Sequence, residues 1–381
     1  MATPLPLSAA EVERTVAPLE RATMLPGAAF TDPDVLDWER ANLFRGGWVC
    51  AAHVDQVRER GQYVKVEVAG ESVLIVADDD DLPRAFLNTC RHRGARLAFL
   101  PEGRLRRLQC PYHAWTYGFD GSLRSAPFTD GIEDFDPACY ALHAVRLAVV
   151  EGLILLDLSG EAPPPQQHVG ALAPHFSRYR LGELERAQRI VYEVGANWKA
   201  IAENYSECLH CPGVHPELNR LSHYLTGETF EGPGRWCGGS MTLSEGVETM
   251  AVDGGHGRPA IAGVDLRSIL YFLLFPNALV SLHPDYVMLH TLWPLAPDRT
   301  EVVCEWFFEP ETIAAPGFDP GDAVEFWDQV NREDWQVCEL TQAGMSSRGF
   351  TPGRYTTQET DVHAFDVMVA ERYLEAALVT P

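Results

Sequence analysis

The chain has 381 residues and carries 54 acidic against 30 basic side chains, a formal charge of −24. At 46% hydrophobic and 22% charged it has an ordinary globular composition, with enough length for two cores. The negative charge argues against general binding to nucleic acid or to anionic lipid surfaces. The best apolar stretches, near Leu147–Leu158 and Ile269–Leu282, are too short and too interrupted by Glu151, Pro276 and Asn277 to span a bilayer. Met1–Pro6 lacks a charged segment followed by an apolar one, so no leader peptide is expected. A cytoplasmic setting with reduced cysteines is the expectation for the nine present.

Taken in order, residues 1–45 read as a helical arm, with Val35, Trp38, Ala41 and Leu43 forming an apolar stripe over 32–45. Residues 46–158 read as an all-β domain. Its strands are expected at Trp48–Ala52, Tyr63–Val68, Val73–Val76, Ala85–Leu87 and Trp115–Tyr117, with a hairpin turn at Asp120-Gly121 and a closing run Val145–Leu158. Pro163-Pro164-Pro165 marks 159–185 as a linker. Residues 186–381 form a second domain. A strand is expected from Ile190, a helix over Trp198–Cys211, and strands at Met241–Thr249, Leu270–Leu274, Leu279–Leu282, Tyr286–Trp293 and Glu301–Phe308. A long helix follows over 321–341. Strands with few helices and no βαβ alternation imply an α+β fold. There is no internal repeat and no G-x-G-x-x-G fingerprint, so a built-in nicotinamide or flavin site is not supported.

Two segments carry chemistry. The first is Cys90-x-His92 with Cys110-x2-His113, the spacing of a Rieske [2Fe–2S] cluster. Thiolates hold one iron and neutral imidazoles the other, which raises the reduction potential above that of an all-cysteine cluster. A structural zinc site takes the same donors. Gly94 and Pro111 shape the two loops and Trp115 offers an aromatic shield. The residue after the second histidine is Ala114, where such loops usually have glycine. Cys50, Cys139, Cys237 and Cys304 read as small core residues.

The second segment is 197–218. Trp198, Ile201, Ala202, Tyr205 and Leu209 form an apolar stripe, and Glu203, Glu207 and His210 share another face of the expected helix. Pro212-Gly213 is expected to break that helix, so that His210 and His215 converge. A facial triad needs a carboxylate. Asp334 lies on the apolar stripe of the late helix, where a bare carboxylate is costly unless paired or metal-bound. Glu333 and Asp328 lie off the stripe and read as solvated. His210, His215 and Asp334 are therefore the candidate iron ligands. Cys208-x2-Cys211 beside two histidines also permits a zinc knuckle.

Together the segments resemble the terminal oxygenase (alpha) subunit of Rieske non-heme iron oxygenases over residues 33 to 381. Glu207-x2-His210-x4-His215 resembles the family's acid-x2-His-x4-His motif, and Arg332-Glu333-Asp334-Trp335 its late carboxylate segment. The resemblance implies an antiparallel sheet flanked by helices (helix-grip, START-like) for the catalytic domain, and a homotrimer. In that trimer the acid, here Glu207, bridges His210 to the neighbouring subunit's cluster histidine, here His113. It implies a [2Fe–2S] cluster, a mononuclear Fe(II), O2 as co-substrate and a separate NAD(P)H-dependent reductase. Seven arginines between Arg84 and Arg107 offer a docking face for such an electron donor.

Glutamate rather than aspartate at 207 resembles the branch acting on glycine betaine, stachydrine and carnitine. Asn197-Trp198-Lys199 and Ser281-Leu282-His283-Pro284-Asp285-Tyr286 point the same way. The expected reaction is hydroxylation of an N-methyl group, with loss of formaldehyde. Tyr205, Tyr224, Trp236, Tyr271, Phe275 and Tyr286 are candidates for an aromatic cage around such a cation. The alternatives are an oxygenase acting on an aromatic or other ring substrate, and an electron carrier without oxygenase activity.

Overall fold

The computed structural model describes residues 5–255 and 257–379. The outermost ends of the first and last expected segments, and residue 256, lie outside these. Two compact units emerge: Phe44–Pro165, and the residues up to Leu43 together with those from Gln166 onward.

The first unit is built of ten short strands: β1 (Trp48–His53), β2 (Gln62–Val68), β3 (Glu71–Ala77), β4 (Pro83–Leu87), β5 (Glu102–Arg104), β6 (Leu108–Gln109), β7 (Thr116–Tyr117), β8 (Leu123–Ser125), β9 (Ala144–Val150) and β10 (Leu153–Asp157). Seven form one antiparallel sheet in the order β1-β10-β9-β4-β3-β2-β5, and β6-β7-β8 make a second. The expected closing run Val145–Leu158 is in fact the hairpin β9–β10. Glu151 (φ 49°) and Gly152 (φ 92°) turn it, because two successive left-handed residues match the twist of a tight hairpin. Gly121 (φ 82°) turns the chain between β7 and β8 as anticipated. Tyr63, Leu74, Phe86, Leu108, Trp115 and Tyr117 share a core with Cys90 and Cys110. Hydrophobic packing thus grips the roots of both cluster loops.

In the second unit the arm supplies α1 (Ala9–Val12), α2 (Ala28–Thr31) and α3 (Pro33–Glu39). The stretch expected as a linker holds α4 (Pro165–Val169) and α5 (Ala173–Arg178). A seven-stranded antiparallel sheet follows: β11 (Glu185–Val194), β12 (Glu228–Thr229), β13 (Trp236–Thr242), β14 (Ser268–Leu274), β15 (Ala278–Leu282), β16 (Val287–Ala296) and β17 (Arg299–Phe308), in the order β11-β17-β16-β15-β14-β13-β12. The strand expected at Met241–Thr249 lies earlier, at β13. Gly238-Gly239 hides its start in the sequence, and turns around Gly246 (φ 80°) occupy its expected end.

The helix expected over Trp198–Cys211 is shorter. It is α6 (Trp198–Tyr205), capped by the Asn197 side chain, which accepts from Lys199 N. Two short helices, α7 (Cys211–Val214) and α8 (Pro216–Leu221), follow the break. Pro212 therefore opens a helical turn rather than ending one, and the chain leaves the helix at Ser206. After α9 (Pro310–Ile313) come the long α10 (Gly321–Met345) and α11 (Thr360–Val379), the latter not anticipated. No described helix is long and apolar enough to cross a membrane.

α6 sits in a buried polar network. Lys199 and Glu39 are both fully buried and paired at 2.6 Å. Trp198 Nε1 (2.8 Å) and the Tyr373 hydroxyl also donate to that carboxylate. One turn on, Glu203 and Asp366 are buried as well, and Tyr355 donates to Asp366 at 2.6 Å. No donor other than a proton held between the two carboxyls reaches Glu203 Oε1 or Asp366 Oδ1. Burial, then mutual repulsion, raises the pKa of Glu203, and burial lifts Asp366 to about 6. Two such carboxyls share one proton, because both cannot ionise together in a dry interior.

Candidate iron sites

Cys90 and His92 sit between β4 and β5; Cys110 and His113 sit between β6 and β7. The two loops close alike. Gly94 N donates to Cys90 O and Cys90 N to Ala95 O. Ala114 N donates to Cys110 O and Cys110 N to Trp115 O. The same position is left-handed in both, Gly94 at φ 78° and Ala114 at φ 59°. Both thiols are buried. Burial, with Cys110 alongside, raises the pKa of Cys90 against the opposing hydrogen bond from Tyr117, whose hydroxyl is 3.3 Å from Cys90 Sγ. The His92 and His113 rings lie 4.7 Å apart, and His92 stacks on Trp115 at 4.8 Å. His113 Nδ1 is sealed from solvent without a partner. Two thiols, two imidazoles and an orphaned ring nitrogen fit a metal–sulfur group and have no other use for that nitrogen.

The second site is assembled from distant segments. His210 and His215 flank α7, and Asp334 comes from α10. One ligand atom from each lies within 4.8 Å of the others. Both Nε2 atoms face Asp334 Oδ1, at 3.3 Å from His210 and 2.8 Å from His215. Both Nδ1 atoms are held from behind by carboxylates, His210 by Glu207 at 2.5 Å and His215 by Glu333 at 2.7 Å. This arrangement fixes the tautomers and aims both Nε2 lone pairs at one point. Burial pulls the His210 imidazole down, but hydrogen bonds to Asp334 and Glu207 outweigh it and lift it to about 9. His215 moves the same way, with Asp334 and Glu333 as its partners, and the histidines hold Asp334 below the usual carboxylate range. The three carboxylates thus draw positive charge onto the imidazoles, and a dication between them supplies the same charge.

Several readings from sequence change here. Glu207 and His210 lie beyond α6, so they do not share a helical face with Glu203; the Glu207 side chain instead folds back, also accepting from Leu209 N. Glu333 is not simply solvated, since it orients His215. Asp328 accepts from the Tyr192 hydroxyl at 2.7 Å and pairs with Arg332. Cys208 and Cys211 are joined in a disulfide, which departs from the expected reduced thiols and removes the zinc-knuckle alternative. Cys139 is exposed rather than in a core.

A cavity of about 340 Å³ opens onto His210, His215 and Asp334. Tyr205, Tyr224, Tyr271 and Trp327 contribute to its wall. Trp236, Phe275 and Tyr286, candidates from sequence, are buried away from that wall.

A model of the Rieske [2Fe–2S] domain matches residues 47–136, and a model of the ring hydroxylating alpha subunit catalytic domain matches residues 181–375. The chain belongs to the Rieske ring-hydroxylating oxygenase alpha subunits. The oxygenase is 27% identical over 383 residues to the glycine betaine monooxygenase oxygenase subunit of Pseudomonas aeruginosa, covering 92% of this chain and 89% of the relative. It is 28% identical to the carnitine monooxygenase oxygenase subunit of Escherichia coli (87% and 86% covered) and to the chloroplastic choline monooxygenase of Arabidopsis thaliana (92% and 83%). The fold matches a crystal structure of the quaternary ammonium Rieske monooxygenase CntA with a TM-score of 0.83 at 24% identity, covering 97% of this chain and all of that one. Naphthalene 1,2-dioxygenase from Rhodococcus matches at 0.80 and 20%, covering 98% and 99%. The oxygenase is thus an oxidoreductase catalytic subunit with a Rieske cluster and a mononuclear iron. Cys90, His92, Cys110 and His113 suit the first, and the His–His–Asp group suits the second.

Proposed function

We propose that the chain is a terminal oxygenase hydroxylating an N-methyl group of a quaternary ammonium compound, with release of formaldehyde. One observation carries this reading: the cavity in front of His210, His215 and Asp334 joins aromatic rings to carboxylates. Aromatic faces attract an ammonium by roughly 0.5–2 kcal/mol each.

When bound, the ferrous ion and the cluster supply O2 activation and the electrons it consumes. The residues prepare that chemistry. Glu207 and Glu333 hold the two imidazoles at Nδ1, leaving Nε2 for the metal. Tyr205 is pinned by its hydroxyl to Ser281 at 3.0 Å. Trp327 is fixed by donating to the Tyr286 hydroxyl at 2.6 Å. The aromatic wall is therefore rigid, which limits the entropy lost on binding. His92 and His113, at the loop tips, are the exit for electrons from the cluster.

The oxygenase-subunit relatives imply a separate reductase. We assign it an acidic docking face. Of the seven arginines proposed to meet it, Arg84, Arg96 and Arg104 already pair with Asp78, Glu67 and Glu59, and Arg91 donates to Ala141 O, so Arg93, Arg106 and Arg107 carry the attraction. Raising salt should slow reduction of the cluster. We also propose a trimer, in which Glu207 accepts an N–H from His113 of the partner subunit.

The test is single turnover. Protein reduced beforehand and pulsed with O2 in the presence of trimethylammonium compounds should yield formaldehyde. Product from a neutral aromatic ring, and none from any methylated ammonium, would overturn the reading.

A further inference from the structure

Cys208 and Cys211 have no part in the chemistry described so far. They are joined in a disulfide, whereas every other described cysteine is unbridged. The bridge spans a sequence separation of only 3. A cross-link that closes so short a loop removes little freedom from the unfolded chain, so it is a poor staple for the fold as a whole. Its effect is local, and inside the loop it closes lies His210.

The chain has a use for a tether there. α6 ends at Tyr205 and α7 begins at Cys211, and the residues between them form neither helix nor strand. The His210 side chain is held by Glu207 at Nδ1 and faces Asp334 at Nε2. Its backbone sits in a turn where Cys211 N donates to Cys208 O at 3.1 Å, and the disulfide closes over that same turn. Both cysteines line the cavity in front of the iron ligands, and Cys211 Sγ lies 4.0 Å from His210 Nε2. Cys208 is half-buried and Cys211 buried. A small oxidant or reductant entering the cavity therefore meets the bridge.

We infer that Cys208 and Cys211 are a redox-active pair that gates the mononuclear site: the disulfide holds His210 in its metal-binding position, and the dithiol releases it. Closing the bridge forms one S–S bond and gives up two protons and two electrons. With hydrogen peroxide as oxidant, one thiolate attacks the O–O bond to give a sulfenic acid, and the second thiol displaces water from it. The sum turns two thiols and one peroxide into one disulfide and two waters. Opening the bridge takes a dithiol reductant. Its thiolate attacks Cys208, the more exposed of the pair, and the reductant leaves as a disulfide. The gate serves the oxygenase whatever its substrate, and rests on His210, His215 and Asp334 as the iron ligands.

Cluster-loaded oxygenase, titrated with Fe(II) against a chelator without O2 or substrate, tests this. Treatment with a phosphine, followed by desalting, should open both sulfurs to alkylation and weaken Fe(II) binding by about tenfold or more. Re-oxidation with diamide before the iron is added should remove both thiols and restore the affinity, a reversal that damage to the fold would not give. Cys208→Ser and Cys211→Ser should bind Fe(II) as the reduced form does and ignore the phosphine, with the cluster's visible spectrum and the melting temperature recording that both fold. Fe(II) bound equally tightly before and after the thiols appear, or a bridge that the phosphine never opens in the folded protein, would overturn the inference. Fe(II) binding unchanged by Asp334→Ala would instead overturn the ligand assignment on which the gate rests.

Discussion

The two metal sites of this chain are built on opposite plans. The candidate cluster ligands come from two short loops that close with the same hydrogen bonds, and the set spans only Cys90 to His113. No carboxylate has a part in it, and arginines crowd the segment. The candidate iron ligands span His210 to Asp334, come from different elements, and are wrapped by carboxylates that set imidazole orientation and charge. A site whose donors lie on rigid turns is encoded locally. One assembled from helices and a break depends on the whole domain.

Variants at the assembled site should therefore be severe and separable from the cluster. Asp334→Ala removes the candidate third ligand and leaves two imidazoles without their shared acceptor. It should abolish turnover and empty the mononuclear site while the cluster's visible spectrum stays; iron retained at that site would place the third ligand elsewhere. Glu207→Gln keeps both metals but should cost at least about 100-fold in turnover, since the amide cannot hold His210 as the carboxylate does. Metal analysis alongside single-turnover rates checks it. Glu333→Gln should weaken iron affinity by about 10–100-fold, read by titration against a chelator, with turnover recovering at high Fe(II).

Away from the metals, the Glu203–Asp366 pair gives a signed pH effect. Both carboxyls have folded pKa values above those of the unfolded chain, so the native state is the stronger proton binder. Stability should fall as pH rises from the ordinary carboxylate range through about 6. Glu203→Gln removes one of the two competing charges. It should flatten that fall and raise unfolding free energy at pH 8 by about 1–2 kcal/mol, measured by denaturant titration. A steeper fall in the variant would mean that the pair does not share a proton.

The cluster loops should respond least. Ala114 is left-handed where its twin position has Gly94, at a cost to a Cβ-bearing residue of roughly 1 kcal/mol. Ala114→Gly should gain about that much in stability and leave the cluster spectrum alone. A loss of stability would show that the alanine methyl packs usefully.

The difference in plan also decides what could be read from the residues alone. The grouping of Cys90, His92, Cys110 and His113 is legible because a tight turn imposes a fixed spacing. The convergence of His210, His215 and Asp334 is legible too, but by a route that the structure corrects. The chain leaves the helix at Ser206, not at Pro212. The role of Glu333 was missed because its side chain reaches His215 from beyond the apolar stripe, and a helical-wheel argument treats such positions as solvated. The only signal was its place directly before Asp334. Most strands of the second domain followed from their apolar runs, whereas β13 was displaced by its paired glycines. The β9–β10 turn was hidden because glutamate rarely takes the first left-handed place. α11 had no strong start signal.

The pairing of Lys199 with Glu39 makes the first forty residues more than a tether. Lys199 is one of two lysines in the protein, and its ammonium is enclosed on the inner helix that leads to the iron histidines. Trimming the chain back to its first β-strand would strand that charge in the interior, a penalty on the order of 3–5 kcal/mol. The leading segment therefore serves as an internal counter-ion, and a shortened oxygenase should fail to fold its catalytic half before it fails to bind any ligand.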